Sequence, residues 1–244
     1  MLGILAVLKK YRRPIIILVI ISTAIASIVA ILLPKKYSST AVVFPVNSML
    51  SDKSRLFNSN IQQLYSEYGG SDDLDHLYAI ANSSVVLGFI SDSFHLIDHY
   101  NISAGPEKAH DIAIKMLKKN TDIIKSENGE LRIEVWDRDN KMAADIGNSI
   151  LYKIQSISRD ILWQANSSTL TALKKAQGRD DTDFKIKELE VSLDAAPPVF
   201  VVLEKPSPSY EPGRPKIWMI IIGTFLLSTF FAFMAALVVE RSKR

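Results

Sequence analysis

Two charge-free apolar runs lie near the ends of the chain, Pro14–Leu33 and Ile217–Val239, with a largely polar region between them. A hydrocarbon core of about 30 Å is crossed by about 20 helical residues rising about 1.5 Å each. Each run therefore predicts a transmembrane helix. Directly after the first run, Tyr37–Val46 is rich in β-branched residues and closes with Pro45, which reads as a strand. Residues 47–72 are polar and predict a loop holding a short helix around Arg55–Tyr68. Ser71 with Asp72, Asp73 and Asp75 predicts a helix start, because side-chain oxygens and negative charge satisfy the free N–H groups there. The helical spacing continues through Leu74, Leu77, Tyr78 and Ile80, breaks near Asn82, and resumes with Val85, Val86, Phe89 and Ile90.

Pro106 fits the first turn of the next helix, with Ile112, Ala113, Met116 and Leu117 at helical spacing. Thr121–Ser126 and Glu130–Trp136 flank Asn128-Gly129, a strong hairpin signal. Leu131, Ile133 and Val135 alternate with Arg132 and Glu134, so one face of that arm is expected to be buried. A longer helix is expected from Asn140 to about Ala176, on the order of 55 Å. Its stripe of Ile146, Ile150, Ile154, Ile157 and Ile161 is a candidate core face or a face toward a neighbouring subunit. Gly178–Asp183 marks a turn, Phe184–Leu193 a short return helix, and Val199–Leu203 a last strand. Pairing the first and last strands would set both spans side by side beneath one sheet. The fold expected is α+β (mixed α/β) with a helical projection, flanked by two transmembrane helices.

Charge bears on orientation. Lys9, Lys10, Arg12 and Arg13 precede the first span, and Arg241, Lys243 and Arg244 follow the second. Basic tails favour both termini on the cytoplasmic side, although Lys35, Lys36, Arg214 and Lys216 flank the other ends of the same spans. An apolar run this long, with Ala24 and Ala26 inside it, does not match a cleaved signal peptide. The organisation expected is a cytoplasmic segment 1–13, a span 14–33, a domain 34–205 with a helical arm at about 140–193, a proline-rich segment 206–216, a span 217–239 and a tail 240–244. A net charge of +3, spread along the chain, does not suggest nucleic acid as a partner.

Candidate chemistry is sparse. The chain has no cysteine, hence no disulfide and no thiolate chemistry. His95 and His99 stand at a spacing that can hold a metal, yet the residues of a His-Glu-x-x-His site are missing. They read as surface histidines beside Asp92 and Asp98. Asp72, Asp73 and Asp75 read as helix capping, and Asp180, Asp181 and Asp183 as a solvated turn or an acidic tip touching a partner. There is no phosphate-binding glycine loop, and the sequons at Asn82, Asn101 and Asn166 are short matches of low information. No catalytic residue, cofactor or metal site is expected, and nothing points to an enzyme. Trp218 reads as an interfacial anchor. Pro206, Pro208, Pro212 and Pro215 crowd the segment before the second span, which excludes helix and favours a stiff extended chain.

Taken together, these features resemble the Wzz-type chain-length determinants, the polysaccharide co-polymerases of bacterial inner membranes. The resemblance rests on the basic segment Leu8–Arg13, the first span, and Pro34–Ala41 leading into a strand. It extends to Glu107–Asn120 before a hairpin, Asp137–Asn148 opening a long helix, and the proline run before the second span. Pro212, Pro215 and Lys216 fit the family pattern, and Gly223 falls where a span-packing glycine is expected. Two features depart from it: the helical arm between Asn140 and Leu203 is short, and no second span glycine follows Gly223.

The resemblance implies a periplasmic domain and a bacterial inner (plasma) membrane location with both termini cytoplasmic. It also implies a non-enzymatic regulator of chain length for O-antigen, lipopolysaccharide or a related surface polymer. The partners implied are a ring-like homo-oligomer, the membrane polysaccharide polymerase, the growing polysaccharide and the lipid bilayer. An inner-membrane adaptor for capsule or exopolysaccharide export is the alternative. A two-span sensor fits less well, since the short tails carry no output domain. The same tail distinguishes the chain from relatives with a fused tyrosine kinase.

Overall fold

The computed structural model describes residues 2–46, 69–175, 183, 186–187, 189–190 and 198–242. They fall into two compact units, Tyr37–Tyr210 and a second made of Met1–Lys36 with Glu211–Arg244.

In the first unit, strand β1 (Tyr37–Pro45) leads to helices α2 (Ser71–Ala81), α3 (Ser84–Ser93), α4 (Leu96–His99) and α5 (Pro106–Lys119). Strands β2 (Thr121–Lys125) and β3 (Leu131–Asp137), helix α6 (Asn140–Lys175) and strand β4 (Phe200–Glu204) complete it. The sheet order is β2-β3-β1-β4, and every pairing is antiparallel. The expected pairing of the first and last strands is present, with Val43 opposite Val202 and Pro45 opposite Phe200. Pro45 is tolerated because β3 stops pairing at Val43, so the missing N–H faces no ladder partner there.

One face of the sheet carries the core. Ser39, Ala41 and Val43 of β1 lie opposite Val135, Ile133 and Leu131 of β3, and these six side chains are all buried. Helices α2, α3, α5 and α6 contribute Leu77, Ile90, Leu117 and Ile150 to the same cluster. The α5 stripe facing inward is Ala109, Ala113 and Leu117, whereas Met116 of the expected stripe is exposed. On α6 the isoleucines divide. Ile146, Ile150 and Ile154 are fully buried within their own domain, Ile157 is half-buried against it, and Ile161 is 53% exposed.

Several local readings need correction. The helix start expected at Ser71 is present, and the cap residue is Gly70, whose N–H donates to Asp73 Oδ2 at 3.0 Å. The β2–β3 connection is longer than the two-residue turn that Asn-Gly typically forms. Ser126 N–H donates to Glu130 O, Gly129 N–H to Ser126 O, and Gly129 takes φ +86°, a conformation that glycine adopts without steric cost. The expected helix around Arg55–Tyr68 lies outside the described residues. Of the expected return helix, Ile186, Lys187, Leu189 and Glu190 are described and helical, and Glu190 pairs with Lys174 near the end of α6 at 2.8 Å. Most of the acidic turn and Ala176 also lie outside the described residues.

The second unit holds two helices long and apolar enough to cross a membrane, α1 (Leu2–Leu32) and α7 (Ile217–Ser242). Helix α1 starts well before the apolar run and passes through Pro14. The two helices pack together. Ser228, Ala232 and Ala236, every fourth residue of α7, are its buried positions, and small side chains allow helices to approach closely within a bilayer.

The burial of α6 predicts unequal effects along one stripe. Ile150→Ala is expected to cost about 2–5 kcal/mol, and Ile161→Ala to stay within about 0.5 kcal/mol. Urea unfolding of the full chain in detergent measures both.

Candidate functional site: a proline strap seated on the long helix

The expected coupling segment leaves β4 at Glu204 and returns along the first turns of α6. Pro206 is buried, although proline carries no donor to tie it down. Its seat is Gly147. A Cβ added there would lie 3.0 Å from both Cβ and Cγ of Pro206, so the ring occupies the space a side chain would need. Glycine inside a helix costs up to about 1 kcal/mol relative to alanine, and here it makes room for the strap. Asn148 Nδ2 donates to Pro206 O at 3.3 Å and to Ala144 O at 3.0 Å. About two turns toward the helix start, Asn140 Nδ2 donates to Ser209 O at 3.0 Å. Two asparagines and one glycine thus hold Pro206–Ser209 against α6.

The start of α6 is itself anchored. Asp139 Oδ1 accepts from the N–H groups of Lys141 at 2.8 Å and Met142 at 3.4 Å, satisfying free donors of the first turn. The Asp139 N–H donates to Asp137 Oδ1 at 3.0 Å. Asp137, 2% exposed at the end of β3, also faces His99 Nε2 at 3.0 and 3.1 Å. His99 is therefore not a surface histidine beside Asp98. A buried polar group is stabilised by hydrogen-bond partners, and for Asp137 they are an imidazole and a backbone N–H. His95 is exposed and takes φ +48° at the start of α4, so the two histidines do not share one helix face.

Tyr100 lies beside His99 with the two rings tilted and their centroids 5.1 Å apart. Burial pushes its phenol above the usual value, a hydrogen bond with Asn120 opposes this, and the charge of Asp137 adds to the rise. Among the described residues, no cluster of three or more histidine, aspartate or glutamate side chains is placed to hold a metal ion.

The remaining expected residues are spread out. Pro208 is exposed in the first unit; Pro212 and Lys216 are exposed and Pro215 half-buried in the second. There, Lys36 N–H donates to Arg214 O at 2.9 Å and Gly213 N–H to Lys36 O at 3.0 Å, a single antiparallel bridge between the segments that border the two spans. A Cβ on Gly223 would meet nothing within 4 Å, so this glycine does not serve packing of α7 on α1. Ser228, Ala232 and Ala236 do.

Residues 1–81 match the family model Wzz, described as chain length determinant protein. The matched part covers α1, β1 and α2, which include the basic segment, the first span and the strand after it. No curated protein matches the chain. Among solved structures, the chain is similar to one described as a full-length bacterial polysaccharide co-polymerase. That similarity covers 100% of this chain and 98% of the other at 12% identity, with a TM-score of 0.42. It is also similar to a fragment of WzzB, a polysaccharide co-polymerase from Salmonella Typhimurium. There it covers 74% of this chain and 100% of that fragment at 10% identity, with a TM-score of 0.33.

The seat on Gly147 makes the strap sensitive to one methyl group or two. Because the chain has no native cysteine, a spin label on Ser207→Cys reports this segment alone. Gly147→Val is expected to sharpen the label's spectrum markedly and Gly147→Ala less so. The Tyr100 shift gives a second expectation. The folded phenol holds its proton to higher pH than the unfolded one, so its contribution is intact below about pH 10 and fades as pH rises through the folded value. Tyr100→Phe should flatten the alkaline fall in unfolding free energy.

Proposed function

We propose that this chain is a non-enzymatic regulator of polysaccharide chain length, an oligomeric inner-membrane co-polymerase that works beside a membrane polymerase. The observation that carries this reading is the match of residues 1–81 to the chain length determinant family model. Two further features support it: a pair of apolar helices at the chain ends and an α+β domain between them. Both termini are cytoplasmic in this reading, and the domain stands in the periplasm. The polymer is O-antigen or a related surface polysaccharide.

The working parts follow from the layout. Helix α6 has 36 residues, about 54 Å at about 1.5 Å each, and its isoleucines are fully buried only as far as Ile154. Beyond that the helix exposes Ile161 and Trp163, at 53% and 60%, and these are the surfaces through which copies assemble around their arms. Gly223, open in the single chain, faces a neighbouring second span. The strap ties the start of the arm to the segment entering α7, and its prolines keep that segment stiff, so the state of the assembly reaches the spans and the polymerase beside them.

Deleting the gene and resolving the surface polysaccharide on a gel tests the reading. Loss of a preferred length with polymer still on the surface is the expected result, and polymer retained inside the cell would instead indicate an export component. Pro212→Ala with Pro215→Ala is expected to broaden or shift the length distribution at unchanged protein abundance. An unaltered ladder of lengths would remove the strap from the mechanism.

A further inference from the structure

The cations at the ends of the spans away from the chain termini have no place in the reading so far. Residues 34–36 and 211–216 contain Lys35, Lys36, Arg214 and Lys216 against one carboxylate, Glu211. Basic residues at that end oppose the charge bias that orients membrane helices, so another interaction should retain them there. The backbone bridge between Lys36 and Arg214 brings the two segments together. It leaves a cleft of about 410 Å³ within the membrane-spanning unit, within the size range of small-ligand sites. Lys35, Arg214 and Lys216 supply its polar lining, and Ile31, Leu33 and Trp218 its apolar lining. All three cations are exposed, and neither Lys35 nor Lys216 has an ion-pair partner among the described residues.

We propose that this cleft binds the phosphate group of an anionic membrane lipid, with the cations on the phosphate and the apolar side against the first carbons of the chains. The lining decides between a lipid and a free anion. A site for inorganic phosphate would be lined by polar groups throughout, whereas this one sets Ile31, Leu33 and Trp218 beside its three cations. Trp218, 59% exposed at the first turn of α7, has the amphipathic ring that settles at headgroup depth. Each lysine near an anionic surface strengthens attachment severalfold. A lipid held there would brace Pro212–Lys216 against the start of α7. The inference rests on the two apolar helices crossing a membrane with both termini on the cytoplasmic side, as proposed above, and does not need the chain-length role.

The test uses the full chain in a neutral detergent, titrated with short-chain phosphatidylglycerol, with phosphatidylcholine of the same chains, and with inorganic phosphate, following tryptophan fluorescence. Saturable binding of phosphatidylglycerol is expected, at least tenfold tighter than phosphatidylcholine by this charge argument. Lys35→Gln with Lys216→Gln should weaken it about tenfold, while Lys35→Arg with Lys216→Arg should keep it. Trp218→Phe should abolish the signal, which places it at the cleft. Equal binding of the two lipids, an unchanged affinity in the glutamine variant, or an equal response to inorganic phosphate would each overturn the proposal. Loss of binding in the arginine variant as well would also count against it, since that change preserves the charge.

Discussion

The domain depends on β1 being an interior strand. It begins at Tyr37, a few residues past the first span, and pairs on one side with β3 and on the other with β4. A strand that pairs on both sides needs donors and acceptors along its whole length. The pairings are staggered so that Pro45 falls past the end of β3. Burying Ala41 and Val43 under α6 then commits the register, because a slip of one residue would turn Val42 and Phe44 toward the helices instead. Since β4 is held by the same strand, the chain is brought back beside its own entry point before it reaches the strap. The local twist at the shift between Val42 and Val43 is where β4 departs from regular pairing.

Much of this was legible because it depends on short-range pattern. Alternation in β3 and the helical spacing from Asn140 onward reflect burial on one face, and the proline at the start of α5 sits where a backbone N–H is not needed, all of which sequence reports directly. The pairing of β1 with β4 could be anticipated only from their positions next to the spans. What escaped was contact across long separations. His99 stands four residues from His95, so local reading joined the two, while its actual partner is Asp137, 38 residues on. The seat of Pro206 on Gly147 spans a wider gap still. Its one available signal was a glycine within an otherwise regular helix, which costs stability and so implies a close neighbour.

Helix packing between the spans shows the same limit in another form. The spacing of Ser228, Ala232 and Ala236 is visible in the sequence as a small residue at every fourth position. Gly223, by contrast, would meet nothing within 4 Å of an added Cβ in this chain. In a bilayer no hydrophobic difference separates a lipid-facing leucine from a helix-facing one, so burial leaves little trace in hydropathy. Size is the remaining signal. The buried stripe of small residues serves α1, and Gly223 lies outside it.

The strap explains why stiffness belongs in this segment. A flexible tether of the same length would absorb movement of the arm, because its own conformational freedom is cheap to redistribute. Four prolines restrict φ along the segment and reduce the states available to it. Stiffness alone transmits nothing unless the ends are fixed. Within the domain, one end is fixed by the fit of Pro206 on Gly147 and by amide donors from Asn140 and Asn148. Within the membrane-spanning unit, Gly213 and Arg214 are fixed by the backbone bridge to Lys36. The hydrogen-bonded run His99–Asp137–Asp139 then extends the domain anchor through the α6 cap to α4. The start of α6 and the strap therefore share one set of restraints within the domain.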